Sequence, residues 1–351
     1  MDERARVLSI IVNYNGGHWV VAAANSLLQQ DCPTDVIVLD NDSSDDSVAA
    51  LRSAFPQLTV IETGENLGSV RGYNWALRYP DYDYYVFFNP DALAEPSMVG
   101  DLVRIMSAHP KLAVLGPTIV EYDTPEIVQA FDPRNDFLLF PYDRWEGRTV
   151  AELPDVDVFD AGFACAAAVM CRASVFRELK GMEELFFMFV EEPDFCWRAR
   201  LLDYEIGVTP RVRVRHYGGV AAAVGNKGGG HYITSLRRIY LRERNGLMMG
   251  IKCYALPSLL LYSALLGLSL MIEGTILMLL GRGAITKSYF EAVRDALKCL
   301  PALLRKRATI QRTRRIAEAG ILSKAAPGYA KFTVLLKRGI PLIKEWQRSS
   351  Q

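Results

Sequence analysis

At 351 residues the chain is too long for one small core, so one large domain with an appendage, or two domains, is expected. Its 40 Lys and Arg equal its 40 Asp and Glu, which excludes a global field of the kind that draws nucleic acid. The six cysteines form no CxxC pair and no zinc-ligand spacing, which excludes a disulfide framework and a structural metal site as organising devices.

Met1 to Arg6 leads into a short apolar strand and not into the apolar core of a signal peptide, so the N-terminal domain is expected to stay cytoplasmic. Val7 to Val12 reads as a strand buried on both faces, ending in Asn13-Tyr14-Asn15-Gly16-Gly17 and followed by a helix from Trp19 to Gln29. Asp35 to Asp40 repeats the pattern and stops in an Asx-rich turn, Asp40 to Ser47, before a helix to Phe55. Leu58 to Glu62 is a third strand, Glu65-Asn66-Leu67-Gly68 a turn, Val70 to Arg78 a helix, and Tyr84 to Phe88 a fourth strand ending in Asn89-Pro90-Asp91. This alternation argues a parallel, doubly wound α/β sheet, with the polar strand ends Asp40, Asn66 and Asp91 along the edge where such sheets bind ligands. No GxGxxG follows the first strand, which disfavours a dinucleotide enzyme. Asp91 suits a hard divalent cation, which would neutralise charge on a leaving diphosphate. The plainer alternatives, a solvated turn at 40–46 and a strand-terminating turn at 89–91, stay open on these residues alone.

Further on, Pro117 to Asp157 is irregular and rich in aromatics, among them Tyr122, Phe131, Phe137 and Trp145. Asp160 to Ala164 precedes an apolar strand, Cys165 to Cys171. The apolar run from Phe186 ends in Glu191-Glu192-Pro193-Asp194, and Pro193 marks the first turn of a helix running to about Leu202 with Glu192 at or next to its N-cap. Three acids in four positions repel one another unless a cation or a shared proton is near, and such an acid can act as a general base. Equally, acids favour a helix's first turn, and Asp194 with Arg198 is an ordinary i,i+4 pair. Val208 to Arg215 alternates basic and apolar residues like an edge strand and ends at His216; Gly225 to Gly230 with Lys227 reads as a lid.

Taken in order, Val12 to Asn15, Leu39 to Asp45, Glu65 to Gly68 with Gly72 and Asn74, Phe88 to Asp91, Ala161 to Cys165, Phe186 to Arg198 and His216 resemble a family-2 glycosyltransferase of the GT-A fold, in its rhamnosyltransferase-like branch. The resemblance implies a GT-A catalytic domain over 1–245, a mostly parallel Rossmann-like sheet with flanking helices. By it, Asn13, Tyr14, Asn15 and Asp40 hold the nucleotide base; Asn66, Arg71 and Asn89 lie near ribose and diphosphate; Gly162 lines the donor sugar. Asp91 and His216 would hold Mg2+ or Mn2+, and the 117–157 stretch would recognise the acceptor. Glu192 takes the place of the catalytic base, flanked by Glu191 and Asp194 as further candidates, with a reach one methylene longer than the family's usual Asp. Processive relatives carry Gln-x-x-Arg-Trp after the base; Leu236-Arg237-Arg238-Ile239-Tyr240 stands there instead, so transfer of one sugar is expected.

The C-terminal region, 246–351, is expected to be all-α and membrane-associated. Cys253 to Ile272 carries no charge, and the apolar run resumes after Glu273-Gly274 to Leu280. Basic residues at both ends, Arg237 to Arg244 before it and Arg282, Lys287 and 305–315 after it, argue that both ends are cytoplasmic. A re-entrant hairpin bent at Pro257, Gly267 or Gly274, or helices lying in the interface, is favoured over one crossing; a hairpin buried in protein is the alternative. The expected partners are a UDP- or dTDP-sugar donor, a lipid-linked saccharide or polyprenyl-phosphate acceptor and the cytoplasmic face of the cell membrane, with no nucleic acid and with a homo-oligomer allowed. Two rival functions are a sugar-phosphate nucleotidyltransferase, against which Asn15-Gly16-Gly17-His18 offers no Lys or Arg for a triphosphate, and a non-catalytic scaffold on the same fold, against which the acids at 40, 91 and 192 speak.

Overall fold

The computed structural model describes residues 5–218, 233–339 and 342–343. The lid expected at Gly225 to Gly230, with Lys227, lies outside the described residues.

The chain runs β1 (Val7–Asn13), α1 (Trp19–Leu28), β2 (Asp35–Asp40), α2 (Ser47–Ala54), β3 (Thr59–Glu62), α3 (Gly68–Asn74), β4 (Tyr84–Phe88), β5 (Ala92–Ala94), α4 (Met98–Ala108) and β6 (Leu112–Glu121). Three short strands follow, β7 (Val128–Ala130), β8 (Pro133–Asn135) and β9 (Pro141–Asp143), then β10 (Phe159–Asp160), β11 (Ala168–Arg172), α5 (Ala173–Glu178), α6 (Glu191–Leu201) and β12 (Glu205–His216). The helical region comprises α7 (Leu236–Cys253), α8 (Leu256–Leu279), α9 (Gly283–Lys298), α10 (Leu300–Thr313), α11 (Ala319–Leu322) and α12 (Ala330–Arg338). The expected α/β architecture with a helical C-terminal region is what the chain adopts.

The main sheet has the order β10-β12-β6-β11-β4-β1-β2-β3. β3, β2, β1 and β4 are all parallel, and β11 enters antiparallel between β4 and β6. Burial follows from this: β1 and β4 are covered on both faces, so Leu8, Ile10, Tyr85 and Phe87 join one core and Val7, Ile11, Val86 and Phe88 the other. The strand order reverses at β1, with β2 on one side and β4 on the other. In such sheets the crevice beyond the strand C-termini at that switch is where ligands bind.

Several local expectations are corrected. Val208 to Arg215 is not an edge: β12 pairs with β6 along its length and is covered on its other side by the short strands β10 and β5. Its basic residues alternate because Arg211, Arg213 and Arg215 point outward while Val212 and Val214 are buried. The irregular stretch begins later than Pro117, because β6 runs through that proline to Glu121, with a register shift in the partner strand between Thr209 and Arg213. Within 253–280 there is no hairpin, since α8 is one helix through Gly267 and Gly274. Nor is α8 buried in protein: only 17% of its most apolar 18-residue stretch, of mean hydropathy 1.7, is covered. It is the one helix among the described residues long and apolar enough to cross a bilayer. Finally, the boundary expected at 245/246 falls inside α7, whose second half is buried at Met248, Met249, Ile251, Lys252 and Cys253, with Lys252 paired to Glu183 and Asp194 of the α/β domain.

Candidate functional site

Asn13 ends β1 opposite Asp40, which ends β2. The Asn13 side chain is buried, and its Nδ2 lies 2.7 Å from Asp40 Oδ1, 3.1 Å from Ser43 Oγ and 2.9 Å from Ser47 Oγ. Asp40 in turn accepts from Ser43 N at 3.0 Å and Ser43 Oγ at 2.6 Å, an Asx turn that ties both strand ends to the 40–47 loop. Asn15, at φ 51°, accepts from Ser44 N at 2.8 Å through its side chain and donates its own N–H to Ser43 Oγ at 2.9 Å. Tyr14 is half-buried between them, within electrostatic reach of Arg237 at the start of α7. The Asx-rich turn allowed by the sequence is present: the polar cluster shapes the loop that joins the ends of β1 and β2.

Across the switch point, three sequence-expected residues meet. His216 Nε2 is 3.2 Å from Asp91 Oδ1 and 3.2 Å from Asn89 Nδ2, and Asn89 Oδ1 accepts from the Tyr73 hydroxyl at 3.1 Å. On the far side of the ring, Nδ1 is 2.6 Å from Gln129 Oε1, while Gln129 Nε2 donates to the His216 carbonyl at 3.3 Å. That second bond orients the Gln129 amide, so its oxygen accepts the hydrogen bond from Nδ1–H and the Nε2 lone pair is turned toward Asn89 Nδ2 and the Asp91 side. This is the arrangement by which an imidazole is prepared as a metal ligand. Two ligands about 2.1 Å from one octahedral cation and cis to each other stand ~3 Å apart, which the Asp91–His216 separation fits. Among the described residues no group of three His, Cys, Asp or Glu is assembled; Asp91 and His216 are the two that could hold a cation whose other positions go to substrate phosphates and water.

The acids sit on the other side of the Cys165–Ala167 turn. Asn89 N donates to the Ala167 carbonyl at 3.0 Å, and Ala166 N donates to Glu192 Oε1 at 3.1 Å. Tyr73 lies among Glu192, Glu191, Cys165 and Asp91; burial first and then those charges push its phenol up. Glu191 is 4% exposed and bound by the Ser69 hydroxyl, whereas Glu192 is half-buried. Burial raises both carboxyls above the ordinary range, and for Glu191 the neighbouring Glu192 adds to it. Both carboxyls are thus held toward the protonated form, and the charge of Glu192 favours a proton on Glu191, the less exposed of the two.

The helix begins at Glu191, with Val190 as N-cap, so Pro193 is its third residue and not its first. No bond is lost, because the first four N–H groups of a helix lack intrahelical partners. Phe189 and Val190 have φ of 67° and 70°. That left-handed backbone costs roughly 1–2 kcal/mol for each such residue.

Other candidates are placed elsewhere. Asp194 is fully buried and does not face the crevice: its Oδ2 accepts from Arg198 Nε at 2.8 Å and its Oδ1 is 2.7 Å from Lys252 Nζ. Asn66 Oδ1 accepts from Gly68 N at 3.0 Å, and Arg71 is exposed, 3.6 Å from Glu65. A Cβ at Gly162 would stand 2.7 Å from the Pro133 carbonyl, so that glycine serves close packing on β8. Of the loop aromatics, Phe131 is core, Phe137 stacks on Tyr254 and Trp145 packs on Phe131. Tyr122 instead joins Trp19 and Tyr217, the residue after His216. Ser69, Tyr73, Gln129 and Asn245 carry no sequence signal, since each acts through a partner 16 or more positions away.

Two predictions arise here. Gly68 has φ 70°, and a Cβ there would stand 2.1 Å from the Phe187 carbonyl. Gly68→Ala is therefore expected to destabilise by more than the roughly 1–2 kcal/mol of left-handed backbone alone, read as a lowered unfolding midpoint; an unchanged midpoint contradicts the packing. Glu191 has a native pKa above its unfolded value of 4.5. The native state then binds the extra proton, so stability is fully present below pH 4.5 and falls as pH rises through the native pKa. Glu191→Gln, which resembles the protonated acid, is expected to raise the thermal midpoint relative to the parent at pH 8.5 and to leave it nearly unchanged at pH 4.5. The reverse ordering would contradict it.

With this geometry, comparison with known proteins is informative. Residues 9–180 match the family model described as Glycosyl transferase family 2. The chain is 23% identical over 230 residues, 59% of this chain and 75% of the other, to N-acetylglucosaminyl-diphospho-decaprenol L-rhamnosyltransferase of Mycobacterium tuberculosis strain H37Rv. It is 25% identical over 182 residues, 49% of this chain and 55% of the other, to the low-salt glycan biosynthesis hexosyltransferase Agl10 of Haloferax volcanii. Among solved structures, S. aureus TarS 1–349 in complex with UDP-GlcNAc superposes with a TM-score of 0.53 at 16% identity, covering 91% of this chain and 90% of that one. The mannosyltransferase PcManGT from Pyrobaculum calidifontis, in complex with GDP-Man and Mn2+, gives 0.50 at 15%, covering 95% and 82%. These structural likenesses establish the GT-A fold.

Proposed function

We propose, from the premise that residues 9–180 are a family-2 glycosyltransferase domain and the chain a hexosyltransferase, that it moves one sugar, with inversion, from a nucleoside-diphosphate sugar to a lipid-linked saccharide acceptor. The observation that carries this reading is the pairing of Asp91 with His216 on one side of the Cys165–Ala167 turn and Glu192 on the other. A sugar ring lying between them would have its diphosphate over the first pair and its anomeric carbon open toward the acid.

In the mechanism, the Glu192 carboxylate accepts the proton of an acceptor hydroxyl, whose oxygen attacks the anomeric carbon from the face opposite the nucleotide. The bond to the diphosphate breaks as the new glycosidic bond forms. Asp91 Oδ1 and His216 Nε2 are the atoms that would hold Mg2+ or Mn2+, which supplies charge neutralisation on the leaving diphosphate. Asn89 and Gln129 keep the imidazole in place. The strand-end loops at Asn13 to Asn15 and Asp40 are the proposed contact for the uridine or deoxythymidine base.

The acceptor reading draws on the decaprenol-linked substrate named for the mycobacterial relative and on α8. That helix exposes Leu260, Leu261, Leu265, Met271, Ile272 and Leu279, a far larger apolar face than a soluble surface carries. α9 folds back along it, with Thr286 bonded to the Gly274 carbonyl and Tyr289 to Glu273. A full crossing by α8 would drag Lys287, Glu291 and Arg294 of α9 into hydrocarbon. The pair therefore supports attachment along the interface, with the basic flanks toward anionic lipid at the cytoplasmic face.

The test is to incubate the full chain in detergent with Mn2+, a polyprenyl-diphospho-N-acetylglucosamine acceptor and, in turn, UDP- and dTDP-sugars. One donor is expected to yield the extended lipid and free nucleoside diphosphate, with turnover abolished by EDTA. Pyrophosphate released from a nucleoside triphosphate and a sugar phosphate would instead identify a nucleotidyltransferase, and no nucleotide-sugar binding at all a scaffold.

A further inference from the structure

The two left-handed residues ahead of α6 set the direction in which Glu191 and Glu192 leave the backbone, yet Val190 caps the helix with no side-chain hydrogen bond and is tied locally through its carbonyl, which accepts from Asp194 N at 3.0 Å. Further restraint comes from α7. Asn245 is 0% exposed, and its Nδ2 donates to the Met188 carbonyl at 2.9 Å and to the Phe189 carbonyl at 2.9 Å. Arg244 beside it donates from Nε to Asn245 Oδ1 at 3.0 Å and from its guanidinium to the Leu185 carbonyl at 3.1 Å. The guanidinium engages the amide oxygen, so the orientation of the Asn245 amide is decided and both of its N–H groups face the loop.

We propose that Asn245 is a positioning residue for transfer: one side-chain amide, on the helix that precedes the exposed apolar α8, grips two successive carbonyls and keeps 189–190 left-handed, so that Glu192 points into the crevice. This rests on the reading of Glu192 as the base. A carboxylate displaced by about 1 Å at the reacting centre loses on the order of 10²-fold in rate. Substrate binding at the β1–β2–β4 end involves none of these atoms, so the effect falls on kcat.

The experiment compares the parent chain with Asn245→Ala, Asn245→Ala with Val190→Gly, and Glu192→Gln, using the donor and polyprenyl-diphospho-N-acetylglucosamine acceptor that turn over in the parent. Asn245→Ala is expected to lower kcat by about 10- to 100-fold, with donor KM within about twofold and an unchanged thermal shift on adding UDP and Mn2+. Glycine adopts positive φ about as readily as negative, so Val190→Gly in that background is expected to recover about five- to tenfold of kcat. A kcat within twofold of the parent, or a loss that Val190→Gly does not relieve, overturns the proposal. Should Asn245→Ala fail to fold, Asn245→Asp keeps the size and the Arg244 contact while turning an acceptor toward both carbonyls, and the same kcat loss is required of it. Full transfer by Glu192→Gln would overturn the base assignment; an inactive Glu192→Gln beside a fully active Asn245→Ala overturns only the clamp.

Discussion

Glu192→Gln is expected to lower the rate of transfer by roughly 10²- to 10⁴-fold, the amount one general base contributes, with nucleotide binding preserved. The amide keeps the size of the side chain and its bond from Ala166 N, so a loss reports the missing base and not a collapsed turn. Glu191→Gln is the matched control. Glu191 is the less exposed of the pair and is raised by burial and by its neighbour's charge, which together outweigh the Ser69 hydroxyl bond that favours its carboxylate, so it is the member that holds a proton near neutrality. Replacing it with the amide is expected to retain transfer within about tenfold of the parent, a far smaller loss than the 10²-fold floor for a general base. Because Glu192 itself is shifted upward by burial, the acid limb of kcat/KM should lie above the ordinary glutamate range. Near-normal transfer by Glu192→Gln, or an inactive Glu191→Gln beside it, would reassign the base.

Lys252→Met is expected to cost about 3–5 kcal/mol of stability, the penalty for breaking a buried ion pair. Lys252 is 0% exposed, with Nζ 2.6 Å from Glu183 Oε2 and 2.7 Å from Asp194 Oδ1. Burial alone would push its ammonium pKa down, but the Asp194 and Glu183 carboxylates more than offset that and keep it charged. Lys306 of α10 meets Glu183 at 2.5 Å, so α7 and α10 both bring a cation to the acids Glu183 and Asp194, the second of which lies on α6. Without Lys252, two carboxylates stay buried with one cation each, Lys306 and Arg198. Denaturation in detergent measures the loss, and adding Asp194→Asn, which removes one buried charge, is expected to recover part of it. A loss below about 1 kcal/mol would mean that the network is open to water.

This network explains why the chain does not divide where its composition shifts. Residues 246–253 read as the beginning of an apolar appendage, yet they are the buried half of α7, the rail on which the acid-bearing loop is fixed. Asp194 stood beside Glu192 as a further candidate, and its i,i+4 partner Arg198 together with Lys252, 58 positions later, turns it away from that role.

What the sequence determined by itself is whatever depends on neighbours along the chain: apolar strands that end in Asn, Asp and Gly, the strand–helix alternation that makes β3-β2-β1-β4 parallel, and the long uncharged run of α8. These follow from side-chain periodicity and backbone preference, which act over a few residues. The tertiary structure alone decided which polar groups meet: that Gln129 orients His216, that Ser69 reaches Glu191 across 122 positions, and that Asn245 grips the turn before α6. Hydrogen bonds and buried charges take their strength from distance and desolvation, and both are properties of the folded arrangement, whatever the spacing in the chain.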